Sequence, residues 1–217
     1  PVLIAHIGSG HTYDYPSPAP SPALIRRRQR DPRVFGSAAP TDGVFSLNVP
    51  VPGAVARLAA DCYPQLVAFD TIREQFTLVV KRFDESTLDA GSPDYQLSTL
   101  RKQLPEVVAG TPAFEAQVDQ FDYFAEPARG AGPVVYLAVD SPGLGDLHWR
   151  LVDAYGAVDG LEGDDYVPHV TLARGGSVAD ADRLVDRSIE PISWTVSELL
   201  LWDSRYREAV TRYSLPA

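Results

Sequence analysis

From residue 44 onward, apolar and polar positions alternate in short stretches with the period of two expected of half-buried strands. Between them lie stretches with a period nearer that of a helix. Residues 44–49 read as a first strand. Pro50-Val51-Pro52-Gly53 then opens an apolar-periodic helix over 54–69, with Pro64 near its kink or end. Residues 75–83, rich in Thr and Val, read as a strand, and Ser92-Pro93 starts a helix to about residue 108, interrupted at Pro105. Phe114, Ala116 and Val118 alternate with polar neighbours across 113–124. Residues 133–139 read as a buried strand, followed by Ser141-Pro142-Gly143 and a helix to 154 or 155. The pattern closes with a strand at 167–173, a short helix at 177–187 capped by Ser177, and a hairpin of 192–202 with 208–215.

Laid out this way, the order strand, Pro-Gly-opened helix, strand, helix, strand occurs twice, with one strand left over. Leu47-Asn48-Val49-Pro50-Val51-Pro52-Gly53 matches Leu137-Ala138-Val139-Asp140-Ser141-Pro142-Gly143 at an offset of 90 residues. Gln75-Phe76-Thr77-Leu78 matches His169-Val170-Thr171-Leu172 at 94. Such duplication predicts an α+β fold: two lobes related by a pseudo-two-fold, antiparallel sheets around a central cleft, helices outside.

Residues 1–43 differ from the rest. They hold seven prolines, five arginines and three aspartates, and lack a periodic apolar face. An extended, poorly ordered arm is expected there, either an RNA-contacting basic segment or an unstructured extension. Residues 44–217 then form the folded domain. The longest apolar runs are strand-sized, so no membrane span is expected, and the basic run follows the only apolar patch of the arm, unlike a secretory signal. The expected location is cytoplasmic. A single cysteine, Cys62, excludes an internal disulfide framework, and histidines at 6, 11, 148 and 169 show no metal-ligand spacing. Net charge is −10, which argues against a surface that coats long nucleic acid while leaving room for a small basic pocket.

Against this background, Tyr166-Val167-Pro168-His169-Val170-Thr171-Leu172-Ala173-Arg174 resembles the second signature of the 2H phosphoesterase superfamily. That group contains 2′-5′ RNA ligases and cyclic nucleotide phosphodiesterases and is defined by two His-x-Thr-x motifs. The resemblance covers residues 44–217 and implies the two-lobed fold. It also implies a metal-independent phosphodiesterase that needs no cofactor and acts on 2′,3′-cyclic or 2′-5′ phosphodiesters of an RNA terminus or small nucleotide. At the first signature stands Gln75-Phe76-Thr77-Leu78, with glutamine where the family carries its other catalytic histidine. The alternative function is a non-catalytic domain that binds an RNA end or nucleotide through its phosphate.

Side chains at i and i+2 of a strand share a face, so His169 projects with Thr171, and Gln75 with Thr77. Threonine hydroxyls can hold phosphate oxygens, and histidine can move a proton at neutral pH. A glutamine amide cannot, and losing one acid–base group costs about 10²–10⁴ in rate. These four residues form the expected catalytic set. Counting in twos puts Lys81 on the face of Gln75 and Thr77 as a phosphate partner or a strand-end lysine, and leaves Arg82 off it. Arg174 falls off the His169 face by the same count, although Gly175-Gly176 could turn it back toward substrate. Tyr166 either stacks on a base or packs on the neighbouring strand. His148 reads as structural or surface, and Trp194 and Trp202 as core.

The charge also bears on environment. Acidic residues outnumber basic ones 29 to 19, and only Lys81 and Lys102 are lysine. An acidic, Lys-poor surface suits concentrated salt, where repulsion is screened within about 3 Å at 1 M. An acidic cytosolic protein from a GC-rich genome has the same composition. Thermal melting across a salt series separates the two. The halophilic reading expects unfolding at low salt and stability in molar salt, and a melt indifferent to salt rejects it.

Overall fold

The computed structural model describes residues 44–217; the arm expected over 1–43 lies outside the described residues. The chain begins with β1 (Phe45–Val49), α1 (Gly53–Asp61) and α2 (Tyr63–Leu66). The single helix expected over 54–69 is two, because a proline ring within a helix clashes with the preceding turn; the chain breaks at Cys62 and restarts with Pro64 in the first turn of α2. There follow β2 (Thr71–Ile72), β3 (Leu78–Phe83), α3 (Pro93–Val108) and β4 (Phe114–Phe124). Pro105 is carried inside α3 rather than ending it. The second half runs β5 (Val134–Asp140), α4 (Pro142–Tyr155), a 3₁₀ turn (Gly163–Asp165), β6 (His169–Arg174), α5 (Val178–Val185), β7 (Ile192–Val196), β8 (Glu198–Asp203) and β9 (Glu208–Ser214). The side chains of Ser92, Ser141 and Ser177 cap α3, α4 and α5 by accepting from the N–H groups of Tyr95, Leu144 and Asp180.

The strands join one antiparallel sheet in the order β7-β4-β5-β6-β3-β1-β8-β9, with β2 on β6. The order is symmetric about the β6/β3 junction: β5 and β1 come next, then β4 and β8, then β7 and β9 at the edges. The duplication read from the sequence is therefore present, but each repeat does not make one lobe. β4, which ends the first repeat, pairs with β5 of the second, and β8 returns to pair with β1. The expected strand over 192–202 is likewise divided at Ser197. Its first part, β7, lies on β4 at the far edge, and only β8 forms the hairpin with β9.

At the centre the two halves meet through one ladder pair, Leu78 with Val170, both fully buried. Paired residues share a face, and Leu47, Leu78, Leu137 and Val170 lie in one apolar core with Val55, Leu100, Leu104, Leu147 and Leu184 from the helices. The helices thus cover that face. Each fully buried leucine contributes about 1.5–3 kcal/mol of transfer free energy. α4 approaches so closely that a Cβ on Gly143 would lie 2.5 Å from the Cβ of Phe114, which is why the Pro-Gly opening at 142–143 admits no side chain there.

Candidate functional site

Flanking the Leu78–Val170 pair on the face opposite the helices are Val79 on β3 and His169 and Thr171 on β6, with Thr77 immediately before β3, all half-buried. Two β-bulges decide what else shares this face. On β3, Leu47 faces Lys81 and Asn48 faces Val79, so Val80 is the extra residue. On β6, Val135 faces Ala173 and Tyr136 faces Thr171, so Leu172 is extra. Each bulge shifts the alternation by one beyond it. Arg82 and Arg174 are thereby carried onto the face of the central four, whereas counting in twos leaves both off it. Lys81 is carried the other way: with Leu47 and Phe83 it faces the core and is fully buried, so it is no phosphate partner in this cleft.

Gln75 also departs from expectation. The strand begins at Leu78, and from Ile72 to Leu78 the chain takes six steps while β6 takes three, from Ala173 to Val170. Residues 73–77 therefore leave the ladder, Gln75 is exposed, and the i, i+2 rule that would join it to Thr77 does not apply. Aligning the two ladders bulge on bulge, Val80 on Leu172, gives an offset of 92. In that alignment Thr77, not Gln75, is the counterpart of His169, and Arg82 is the counterpart of Arg174.

His169 stands among aromatic rings, with Phe124 edge-on at 5.3 Å and Tyr136 at 5.0 Å between centroids. Its Nδ1 lies 2.7 Å from the Val167 carbonyl oxygen, so Nδ1 carries the proton and Nε2 keeps its lone pair. Burial lowers its pKa to about 4; the hydrogen bond to Val167 opposes this, while Arg82 and Arg174 add to it. At neutral pH His169 is uncharged, on the face that carries Thr171, Arg82 and Arg174. Phe124, Tyr136 and Arg82 escape sequence reasoning because two of them lie on other strands and the third depends on a bulge. The Tyr136 hydroxyl donates to Asp122 Oδ2 at 3.1 Å.

The bulge on β3 leaves backbone groups without ladder partners, and the segment preceding β6 supplies them. Glu162 Oε1 accepts from the Arg82 N–H at 2.6 Å, and Oε2 accepts from Lys81 Nζ at 2.5 Å and from the Val158 N–H at 3.0 Å. Lys81 Nζ also donates to the Arg82 carbonyl at 2.7 Å. Burial lowers the Lys81 pKa and Glu162 opposes it. The Tyr166 hydroxyl donates to the Val79 carbonyl at 2.8 Å while its ring stacks on His148 at 3.7 Å, so packing, not base stacking, occupies that face of Tyr166. His148 Nε2 accepts from the Gly163 N–H at 3.0 Å, which leaves Nδ1–H to donate to the Val80 carbonyl at 2.7 Å. It is a structural histidine whose pKa burial lowers.

After β6, Gly175 and Gly176 turn the chain at φ of +76° and +79°, with Asp70 accepting from the Gly176 N–H. Among the described residues no three His, Cys, Asp or Glu side chains come together as metal ligands do, and no helix is long and apolar enough to cross a membrane.

The family model of the 2′-5′ RNA ligase superfamily matches residues 76–207. The chain is similar in structure to TT0787 of Thermus thermophilus, at 16% identity and a TM-score of 0.56 over 79% of this chain and 97% of that one. It is also similar to E. coli LigT complexed with NADP+, at 18% identity and 0.54 over 81% and 99%, and to LigT complexed with 3′-AMP, at 18% and 0.53 over the same shares. No curated protein matches the chain.

Two outcomes follow from the geometry. Glu162→Ala leaves the Lys81 ammonium buried without its partner and is expected to cost about 3–5 kcal/mol in chemical denaturation. For His169, the unfolded chain takes up a proton below about pH 6.5 while the folded protein resists until about pH 4. Its contribution to stability is thus complete above pH 6.5 and is lost as pH falls toward 4. Comparing His169→Gln with the native chain across that range should show a native-only loss on the order of 1–3 kcal/mol.

Proposed function

This chain belongs to the 2′-5′ RNA ligase superfamily, and on that footing we propose that it is a metal-independent phosphodiesterase working with one imidazole. Its substrate class is the 2′,3′-cyclic or 2′-5′ phosphodiester of an RNA terminus or small nucleotide. The observation that carries the reading is the neutral His169, with Nδ1 fixed by Val167, on the same face as Thr77, Thr171, Arg82 and Arg174. The LigT complexes with 3′-AMP and NADP+ support a nucleotide-sized ligand in this fold.

In the proposed reaction the threonine hydroxyls donate to non-bridging phosphate oxygens while the guanidinium groups offset the charge that grows on them. His169 Nε2 takes a proton from the attacking water as its oxygen bonds to phosphorus. The bond to one ribose oxygen breaks, and that alkoxide takes its proton from solvent. A second imidazole would supply this last proton; without it the rate falls by about 10²–10⁴. One observation favours the second reading, a phosphate-binding domain that does not turn over: Gln75 is exposed and off the ladder, and the counterpart of His169 at the 92-residue offset is Thr77, which has no ring nitrogen to carry a proton.

Turnover of a 2′,3′-cyclic mononucleotide tests both. The native chain is expected to be slow and His169→Ala inactive. Thr77→His, at the ladder counterpart of His169, is expected to gain more rate than Gln75→His, about tenfold or more even after loss of a hydroxyl. If the native chain and both histidine variants are inactive yet bind a 2′-phosphorylated nucleotide in calorimetry, the binding-domain reading replaces the catalytic one.

A further inference from the structure

Residues 125–133, between β4 and β5, reach three separate parts of the molecule. The carbonyl of Arg129 accepts from Arg174 Nη1 at 3.0 Å, at the end of β6. The Arg129 side chain reaches the other way, its Nη2 lying 3.7 Å from Asp84 Oδ2, just past the end of β3. Ala128 lies against Gly160, where an added Cβ would sit 3.8 Å from the alanine methyl. β3 and β6 are antiparallel and meet at Leu78 and Val170. Arg174 and Asp84 therefore lie on opposite sides of that pair along the strand direction. Arg129 touches both, its carbonyl on the Arg174 side and its guanidinium on the Asp84 side, so this residue spans the pair on the face that carries Arg174, His169 and Thr171. Phe124, the last residue before the crossing, already touches His169 edge-on.

We propose that residues 125–133 form a strap across the phosphate site, latched by Arg129 to Asp84, and that the strap admits a mononucleotide or the last nucleotide of a strand while excluding a continuous strand. This rests on the phosphate-site reading above. The chemistry of the latch suits the role. The Ser86 N–H donates to Asp84 Oδ1 at 3.0 Å, and the Ser86 hydroxyl donates to the same oxygen at 2.5 Å. The latch joins the two halves of the sheet on the face of the site, so a polymer running through would have to part the ion pair along its whole passage. A chain end needs only to enter beneath it. An anionic phosphate under the strap also competes with Asp84 for the Arg129 guanidinium, which gives a bound end a way to loosen the latch.

The test uses the full chain and three probes in calorimetry: a 2′-phosphorylated mononucleotide, a linear oligonucleotide carrying the same phosphate at its 3′ end, and a circular oligonucleotide of equal length. The native protein is expected to bind the first two within threefold of each other and the circle at least tenfold more weakly. Arg129→Ala, checked for an unchanged melting temperature, is expected to bring the circle within threefold of the linear probe. Asp84→Asn opens the latch from its other side and is expected to do the same. A circle bound as tightly as the linear probe by the native protein overturns the strap. A tenfold gap that survives in both variants overturns the latch. Failure of all three probes to bind overturns the phosphate-site reading itself, and the strap with it.

Discussion

One buried carboxylate organises the middle of this protein. Where β3 bulges at Val80 it gives up the regular ladder, and backbone donors and acceptors removed from water must find other partners. Glu162 takes the Arg82 N–H and holds the Lys81 ammonium, which in turn donates to the Arg82 carbonyl, while the Val158 N–H fixes the carboxylate from its own segment. With Tyr166 and His148 it binds the segment before β6 to the strand of the other half. The orientation of Arg82, the placement of His169 and the joining of the halves through a single ladder pair all depend on this set of bonds. An ion pair so deeply buried adds little net stability of its own, because both charges lost their hydration to form it. What it fixes is register, since Lys81 Nζ and the Arg82 N–H must both meet the one carboxylate of Glu162.

The same bulges mark where the sequence stops being legible. Local pattern locates almost every element, and the run from Tyr166 to Arg174 is distinctive enough that the strand bearing His169 and Thr171 can be read from it directly. Bulges leave no comparable trace. Val80 and Leu172 are ordinary apolar residues in apolar strands, yet each reverses the facing of everything after it. Lys81 and Arg82 exchange roles for that reason alone. Gln75 reads as a strand residue because alternation continues through it, whereas the excursion over 73–77 is set by the mismatch between two ladders far apart in sequence. Strand exchange between the repeats is equally hidden, because pairing partners are chosen by packing of the whole sheet.

The electrostatics of the site divide labour between residue types. The arginines stay charged at any accessible pH and provide a local positive field despite the excess of acid over the whole chain. His169 is held neutral by burial and by that same field. A site built this way carries positive charge without a charged imidazole, and the lone pair of His169 is available well below neutrality. The cost is weaker basicity than an unperturbed imidazole offers.

The crossing of the terminal strands between the halves bears on how such a molecule assembles and how it arose. β1, near the start of the described chain, finds its outer partner only when β8 is made, so Phe45 waits for Asp203. Contacts this distant in sequence slow folding, because a long loop must close before the contact is gained. On the ribosome the first half stays incomplete, with one edge of β1 exposed, until β8 has been made. A single ancestral repeat would have faced the same difficulty. Alone, it has no neighbour for its final strand, and the arrangement that satisfies it is an exchange of that strand with a second copy. Fusing two copies of the gene would have preserved an interlocked homodimer as one polypeptide, with the old two-fold axis passing between Leu78 and Val170.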